Sequence, residues 1–379
     1  MKINEKELIE NRRYFHQYPE LGKQEFKTTE KLISILAQYP VTLLRPTPTG
    51  VIATLKGKYP GKVLALRADI DALPMEEEIE EDFHSKYPNI AHTCGHDTHM
   101  AMLLESCRIL CEKQEEIHGT IKFIFQPCEE IPPGGAIDLI KSGVLNDVNA
   151  FVGLHIGPGI KTGHVAIVND RYATTASCRF KVTVQGKGGH GGMPNQSIDP
   201  IPAACSMITS LQSILSREIA PSNYGVLSVC NIHSGSADNI IPDQCTFGGT
   251  IRTASNTVMD TIQKRMREMI EGIGTAYQCK VIVEIFPGYR SVENDPELVA
   301  LANHTLKEEL GEEYVEKMTL CPASEDFSSY QQIAPSVYFH LGGGMSPYIN
   351  HHPKFHIEEE ALSYGVRAEV AFALAYLKQ

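Results

Sequence analysis

Three features of the sequence predict an α/β protein of two domains, the second inserted in the first. Its 379 residues exceed the size at which one core usually divides. Three apolar, strand-like runs end in Asp69/Asp71, in Glu129/Glu130 and in His155, and open α/β sheets place their sites beyond such carboxyl ends. Between Thr174 and Phe286 the pattern changes to strand, helix, strand, strand, helix, strand, the order of a ferredoxin-like α+β unit. The expected boundaries are 1–173 and 289–379 for the first domain and 174–288 for the insert.

Apolar residues recur at helical spacing from Glu5 to Tyr39, broken at Tyr18-Pro19-Glu20-Leu21-Gly22, which predicts two helices around a turn. His16 and Glu20 near that turn read as structural. Val51–Leu55 and Val63–Arg67 are β-rich runs joined by a Lys-Gly-Lys-Tyr-Pro-Gly turn, and predict two adjacent strands. The second run leads into Asp69 and Asp71. These alternate in direction on an extended chain, and Asp71 reads as a residue that orients a ligand imidazole.

Met100–Gln114 has helical periodicity, Thr120–Phe125 is a further buried strand, and a helix is expected from Pro132 to Gly143. Ala150–His155 is a strand that finishes in a histidine. Inside the insert the expected elements are Ser177–Gln185, Ser197–Arg217, Gly225–His233, Gln244–Thr253, Asn256–Tyr277 and Lys280–Phe286. The first domain resumes with a helix from Asn294 to Leu310, a strand from Ser336 to Leu341, and a last helix from about Glu358 to Leu377. His351 and His352 lie on the loop before that helix, and only one can readily face a given cluster.

Composition narrows the function classes. Hydrophobic content of 42% and charged content of 21% are ordinary for a globular protein. A net charge of −12 argues against nucleic acid as partner, because that binding relies on clustered Lys and Arg. No apolar run approaches the roughly 18 residues of a membrane span, and Met1–Glu10 has no signal-like apolar core, so the expectation is a cytoplasmic protein without a membrane partner. Ten cysteines are scattered without a disulfide rhythm, and in a reducing compartment most would serve as small buried hydrophobes.

Cys94 is different. The stretch His92-Thr93-Cys94-Gly95-His96-Asp97-Thr98-His99 packs a thiol, three imidazoles and a carboxylate into eight positions. A borderline-soft ion such as zinc would accept Cys94 and His96 together, as would manganese in a mixed site. Glu129 and Glu130 would repel each other in one dry cavity unless one binds a cation and the other holds a proton.

These motifs stand in one fixed order with Gln126-Pro127, Leu154-His155, a Gly-Lys-Gly-Gly-His turn ending in His190, Gly249-Thr250-Ile251-Arg252, Ser324-Glu325-Asp326-Phe327 and the late His351-His352-Pro353-Lys354-Phe355-His356. Together, over nearly the whole chain, they resemble the aminoacylase/carboxypeptidase G family of dinuclear metallohydrolases. The Cys-Gly-His variant is similar to its subgroup of hippurate hydrolases, indole-acetyl-amino-acid hydrolases and N-acetyl-diaminopimelate deacetylases. The resemblance implies a zinc-peptidase-like catalytic domain with a mixed central sheet and an inserted dimerisation domain, hence a homodimer. It implies metal ligands at Cys94, His96, Glu130, His155 and His352, with Cys94 able to bridge two divalent ions and Glu129 as general base. Manganese or zinc would fill the site, with nickel and cobalt as further candidates. It also implies that His190, Asn239 and Arg252 help hold the substrate. Ala323 before Ser324 and Ile131-Pro132-Pro133 after the Glu pair depart from the family's usual pattern.

The expected reaction is metal-dependent hydrolysis of a small N-acyl-amino acid to a carboxylate and a free amino acid. A metallo-dipeptidase is the rival within that chemistry. A thiol hydrolase using Cys94 leaves Glu129, Glu130 and His155 without roles. A non-catalytic metal-containing binder would favour a closed four-ligand Cys/His cage over this mixed set.

Overall fold

The protein is described by a computed structural model covering residues 1–379. Its residues gather in two compact units, Met1–Ala173 with Val292–Cys321 and Asp326–Gln379, and Thr174–Ser291 with Pro322–Glu325. The expected insert boundary at 288 therefore stops short of Ser291. Pro322–Glu325 packs with the second unit because the Thr175 hydroxyl donates to the Pro322 carbonyl at 2.9 Å and the Thr175 amide to that of Ala323, also at 2.9 Å.

The first unit opens with α1 (Glu5–Gln17) and α2 (Phe26–Leu36), then β1 (Thr42–Leu44), β2 (Val51–Lys56) and β3 (Tyr59–Asp69). It continues through α3 (His96–Glu112), β4 (His118–Gln126), α4 (Ala136–Lys141), β5 (Ala150–Gly157) and β6 (Val165–Val168). The second unit holds β7 (Ala176–Gln185), β8 (Gly189–His190), α5 (Pro200–Ser213), β9 (Gly225–Ser234), β10 (Ile240–Ile241), β11 (Gln244–Thr253), α6 (Asn256–Ala276) and β12 (Lys280–Pro287). The chain returns to the first unit with α7 (Pro296–Leu310), β13 (Val315–Met318), β14 (Ser336–Gly342) and α8 (Ala361–Leu377).

The first unit is built on a mixed eight-stranded sheet in the order β1-β2-β4-β3-β5-β14-β6-β13. Its centre, β4-β3-β5-β14, is parallel throughout. The carboxyl ends of these four strands therefore lie on one edge, and each is followed by a loop carrying polar residues. Apolar side chains leave both faces: Leu64, Leu66, Phe123, Val152 and Leu154 pack toward α1, α3, α7 and α8, while Ala65, Ile124 and Phe151 pack with Leu139 of α4 and with Tyr330. Burial on two faces is why these strands read as continuous apolar runs rather than alternating ones.

One pairing differs from expectation. β2 and β3 share a tight connection but are not neighbours, because β4 lies between them, antiparallel to β2 and parallel to β3. The six residues Ile121–Gln126 are all buried, and so apolar a strand is most stable with partners on both sides.

In the second unit the sheet order is β12-β7-β11-β9 with every pair antiparallel. Helices α5 and α6 bury Met207, Leu211, Ile262, Met266 and Ile270 against Phe180, Val182 and Phe247. The Asp199 and Asp295 side chains cap α5 and α7, each with proline in the first turn, where the missing amide costs nothing. No helix is long and apolar enough to cross a membrane.

The α3–α8 interface holds a buried carboxyl. The Ser106 hydroxyl donates to Glu369 at 2.6 Å, and burial, partly offset by this bond, pushes the Glu369 pKa up from 4.5 to about 8. The folded state thus binds a proton that the unfolded state releases above its ordinary carboxyl range. That contribution to stability is complete below about 4.5 and is lost as pH rises through about 8. Glu369→Gln stays neutral at every pH and is expected to be more stable than the parent at pH 8.5, by on the order of 1–3 kcal/mol, and close to it at pH 5. Thermal melts across that range read the difference, and a constant offset would contradict it.

Candidate metal centre

The stretch that begins α3 is shaped by one glycine. Gly95 has φ +90, and a Cβ there would lie 2.7 Å from Ile156 Cγ2 on β5, so only glycine allows Cys94 and His96 to flank a turn this close to the sheet. The loop after β4 brings in Glu129 and Glu130, β5 supplies His155, and the loop after β14 supplies His351. Cys94 Sγ lies 3.4 Å from His155 Nε2 and 3.3 Å from His351 Nε2, and His351 Nε2 lies 3.1 Å from Glu130 Oε1. Two three-residue groups result, Cys94 with His96 and His155, and Cys94 with Glu130 and His351, and Cys94 is common to both. Glu129 joins His96 and Glu130 in a further group.

The imidazoles are turned for ligation. His96 Nδ1 donates to the Asp71 carbonyl at 2.8 Å, and His155 Nδ1 donates to the Ile156 carbonyl at 2.7 Å, which leaves each Nε2 lone pair facing the cluster. His96 Nε2 is buried without a hydrogen-bond partner. Buried polar atoms are rarely left so unless a group is due to meet them.

The electrostatics agree. Burial, then Glu130, Glu129 and Asp69, push the Cys94 thiol well above its usual range. Burial opposes charge on His96, yet Asp69 and Asp71 outweigh it and raise its pKa to about 10. Burial and the neighbouring His99 hold His155 well below the usual imidazole range. A pocket with surplus negative charge that grips protons on a thiol and an imidazole is one in which divalent cations would displace those protons. The donor set of one thiol, imidazoles and carboxylates fits two such ions. It mixes carboxylates with imidazoles and a thiol rather than forming the closed Cys/His cage of structural zinc sites.

The structure changes one residue of the expected set. His352 stands outside the cluster: its ring stacks on Tyr348 with centroids 4.7 Å apart, and its Nδ1 accepts the Lys354 amide at 3.0 Å. His351 takes the inward place. Its φ of +66 turns the chain back on itself while its amide donates to the Thr93 carbonyl at 2.8 Å, so it, and not its neighbour, faces Cys94. The Asn350 amide group adds a bond to the Cys94 carbonyl at 3.0 Å. Asp71 orients the His96 imidazole through its backbone carbonyl. Its carboxylate oxygens accept the amides of Glu129 at 2.9 Å and Glu130 at 3.0 Å.

Sequence reading missed the layer beneath. Asp69 accepts from His99 Nδ1 at 2.6 Å, while His99 Nε2 accepts the Ile156 amide at 2.9 Å, so both nitrogens of His99 are committed and none is left for a metal. Arg67 donates to Asp69 at 2.6 Å, to Asp326 at 2.9 Å and to Gln126 at 2.9 Å, and burial of Asp69 is outweighed by Arg67, holding its carboxyl well below the ordinary range. Asp69 and His99 were visible as motif members. Asp326 was visible only as a member of the Ser324-Glu325-Asp326-Phe327 motif, and its pairing with Arg67 was not visible, because it joins distant segments. His16, read as structural, sits buried between Asp97 at 2.8 Å and Glu77 at 2.6 Å, and burial is outweighed by Asp97 so that its pKa is raised.

His190, Asn239 and Arg252 lie in the second unit. His190 pairs with Ile240 in the β8–β10 ribbon, its Nδ1 accepts the Gly192 amide at 3.0 Å, and its ring is exposed with Nε2 free to donate. Asn239 is exposed beside it, and its carbonyl accepts the Gly191 amide at 2.8 Å. Arg252, on β11, donates to the Ser324 hydroxyl at 3.1 Å.

Carboxylates, imidazoles and one shared thiol gathered at the carboxyl ends of parallel strands define a metal-dependent hydrolase centre. The chain belongs to peptidase family M20/M25/M40, whose sequence pattern matches residues 65–375. It is 38% identical over 374 residues to an N-acetylcysteine deacetylase of Bacillus subtilis (strain 168), covering 98% of this chain and 97% of that protein. It is 39% identical over 289 residues to an N-acyl-L-amino acid amidohydrolase of Geobacillus stearothermophilus, covering 76% and 78% of the two. A solved structure of a dinuclear metal-binding M20 peptidase from Bacillus subtilis superposes with a TM-score of 0.87 at 34% identity, covering 99% of this chain and 98% of that one.

Proposed function

We propose that the protein hydrolyses the amide bond of N-acyl-amino acids, releasing a carboxylic acid and a free amino acid. The observation that carries this reading is Cys94 shared between two ligand groups, with the buried Glu129 beside them. Cys94, His96 and His155 would hold one divalent ion and Cys94, Glu130 and His351 the other. When bound, the ions supply polarisation of the amide carbonyl and acidify water toward neutral pH.

Glu129 is buried among these groups, where a carboxylate can take the proton of the attacking water and return it to the leaving amine nitrogen. Asp71 fixes the backbone of both glutamates, so that the base and the ligand keep their separation. The exposed Nε2–H of His190 and the Asn239 amide are suited to donate to the oxyanion that forms on the carbonyl, and the planar fork of Arg252 to pair with the free carboxylate of the amino acid. Zinc or manganese suits the donor set, with nickel and cobalt as alternatives. Apolar Ile232, Ile282 and Phe286 remain exposed on the edge strands β9 and β12, which supports a homodimer formed through the second unit.

The test is amino-acid release from N-acetyl, N-benzoyl and N-indoleacetyl amino acids and from dipeptides, using metal-stripped protein reloaded with zinc or manganese. Turnover of an acyl derivative that returns only with added metal is the expected result. Turnover of dipeptides alone would favour a dipeptidase, and silence across the panel with metal bound would overturn the reading.

A further inference from the structure

The turn that carries Glu129 is held from two directions. Cys128 sits at φ +57, a left-handed conformation that costs a non-glycine residue energy and must be enforced by its surroundings. Its amide donates to Glu25 Oε1 at 2.8 Å, and its carbonyl accepts the Gly135 amide at 2.9 Å. The next two amides, of Glu129 and Glu130, go to the two oxygens of Asp71 at 2.9 and 3.0 Å. Three consecutive peptide amides are thus captured by two buried carboxyl groups from separate segments, one at the start of α2 and one after β3. Asp71 grips the amides of the two functional residues themselves. Glu25 grips the residue just before them, at the strained point of the turn.

We propose that Glu25 is a positioning residue for the reaction: it holds Cys128 in its left-handed conformation and so aims the Glu129 carboxylate. The inference rests on the assignment of Glu129 as general base. Burial raises the Glu25 carboxyl to about 7, so near neutral pH it is only partly ionised, and the bond from the Cys128 amide needs an acceptor oxygen whether or not that oxygen is charged. An amide oxygen at the same place would therefore do the same work. A misplacement of a catalytic group by about 1 Å can cost about 100-fold in rate without weakening substrate binding.

The experiment compares Glu25→Met, which keeps the volume but removes the acceptor, with Glu25→Gln, which keeps an acceptor, both loaded with metal. In Glu25→Met, kcat is expected to fall about 10- to 100-fold, with KM within about twofold and metal content at the parent level. Amide hydrogen exchange in a peptide spanning 127–131 should quicken. Glu25→Gln should return both readings to near the parent. Should Glu25→Met not fold, Glu25→Asp, which withdraws the oxygen by one methylene, takes its place with the same expected readings. Parent-like kcat and exchange in a folded variant without the acceptor, or equal losses in Glu25→Gln, would overturn the proposal. If the parent itself turns over no acyl-amino acid, the proposed function fails, and the exchange measurement still decides whether Glu25 holds the turn.

Discussion

Replacing Glu129 with glutamine is expected to lower turnover by roughly 10²- to 10⁴-fold while metal content stays near that of the parent. Glutamine keeps the shape of the side chain and leaves the amide of residue 129 free to bond Asp71, so the turn is preserved. What it loses is the ability to accept a proton. The ligand groups that would hold both ions, Cys94 with His96 and His155 and Cys94 with Glu130 and His351, do not depend on Glu129. Turnover measured beside metal stoichiometry separates the roles. Metal loss in Glu129→Gln as large as in a ligand variant would remove Glu129 from the role of base and make it a ligand.

A ligand series gives the second large effect. Cys94→Ala removes the one donor common to both groups and is expected to deplete both ions, His351→Ala to deplete one, and His352→Ala to leave the metal content unchanged. The ordering follows from the distances, since His351 Nε2 lies 3.3 Å from Cys94 Sγ and 3.1 Å from Glu130 Oε1, while His352 stacks on Tyr348. Metal analysis after dialysis against a weak chelator reads it directly. Depletion in His352→Ala equal to that in His351→Ala would contradict the placement of the two rings.

Much of the centre was legible because its residues stand in short motifs at strand ends: Cys94, His96, Glu129, Glu130 and His155 are all found together. The choice between His351 and His352 was not legible. Adjacent histidines have the same chemistry, and the backbone angle at His351 that decides between them is set by the loop's contact with Thr93. Likewise the strand β4 was found from its apolar run, but its insertion between β2 and β3 was hidden, because the tight connection joining those two strands is also what a hairpin would show. The roles of Arg67, Asp326 and Glu25 were hidden for the same physical reason. Each acts through a partner far along the chain, and local pattern reports only local geometry. The β-α-β-β-α-β order of the second unit was legible because its main elements are contiguous in sequence and alternate in period.

The sheet order also bears on how the chain comes off the ribosome. β14, from the last part of the sequence, lies between β5 and β6, both of which are made before the second unit. Until residues 336–342 emerge, β5 has a bare flank where β14 will pair, and His351 has not yet been synthesised. The second unit needs no such wait, because its four-stranded sheet and both of its helices lie between residues 176 and 287. A nascent chain would then carry a second unit complete but for Pro322–Glu325 on an unfinished first one, with the flank of β5 exposed to other strands. Metal capture at the full site would come last, after synthesis has passed residue 351, and a premature ion would find the Cys94, His96 and His155 group complete but the other group without His351.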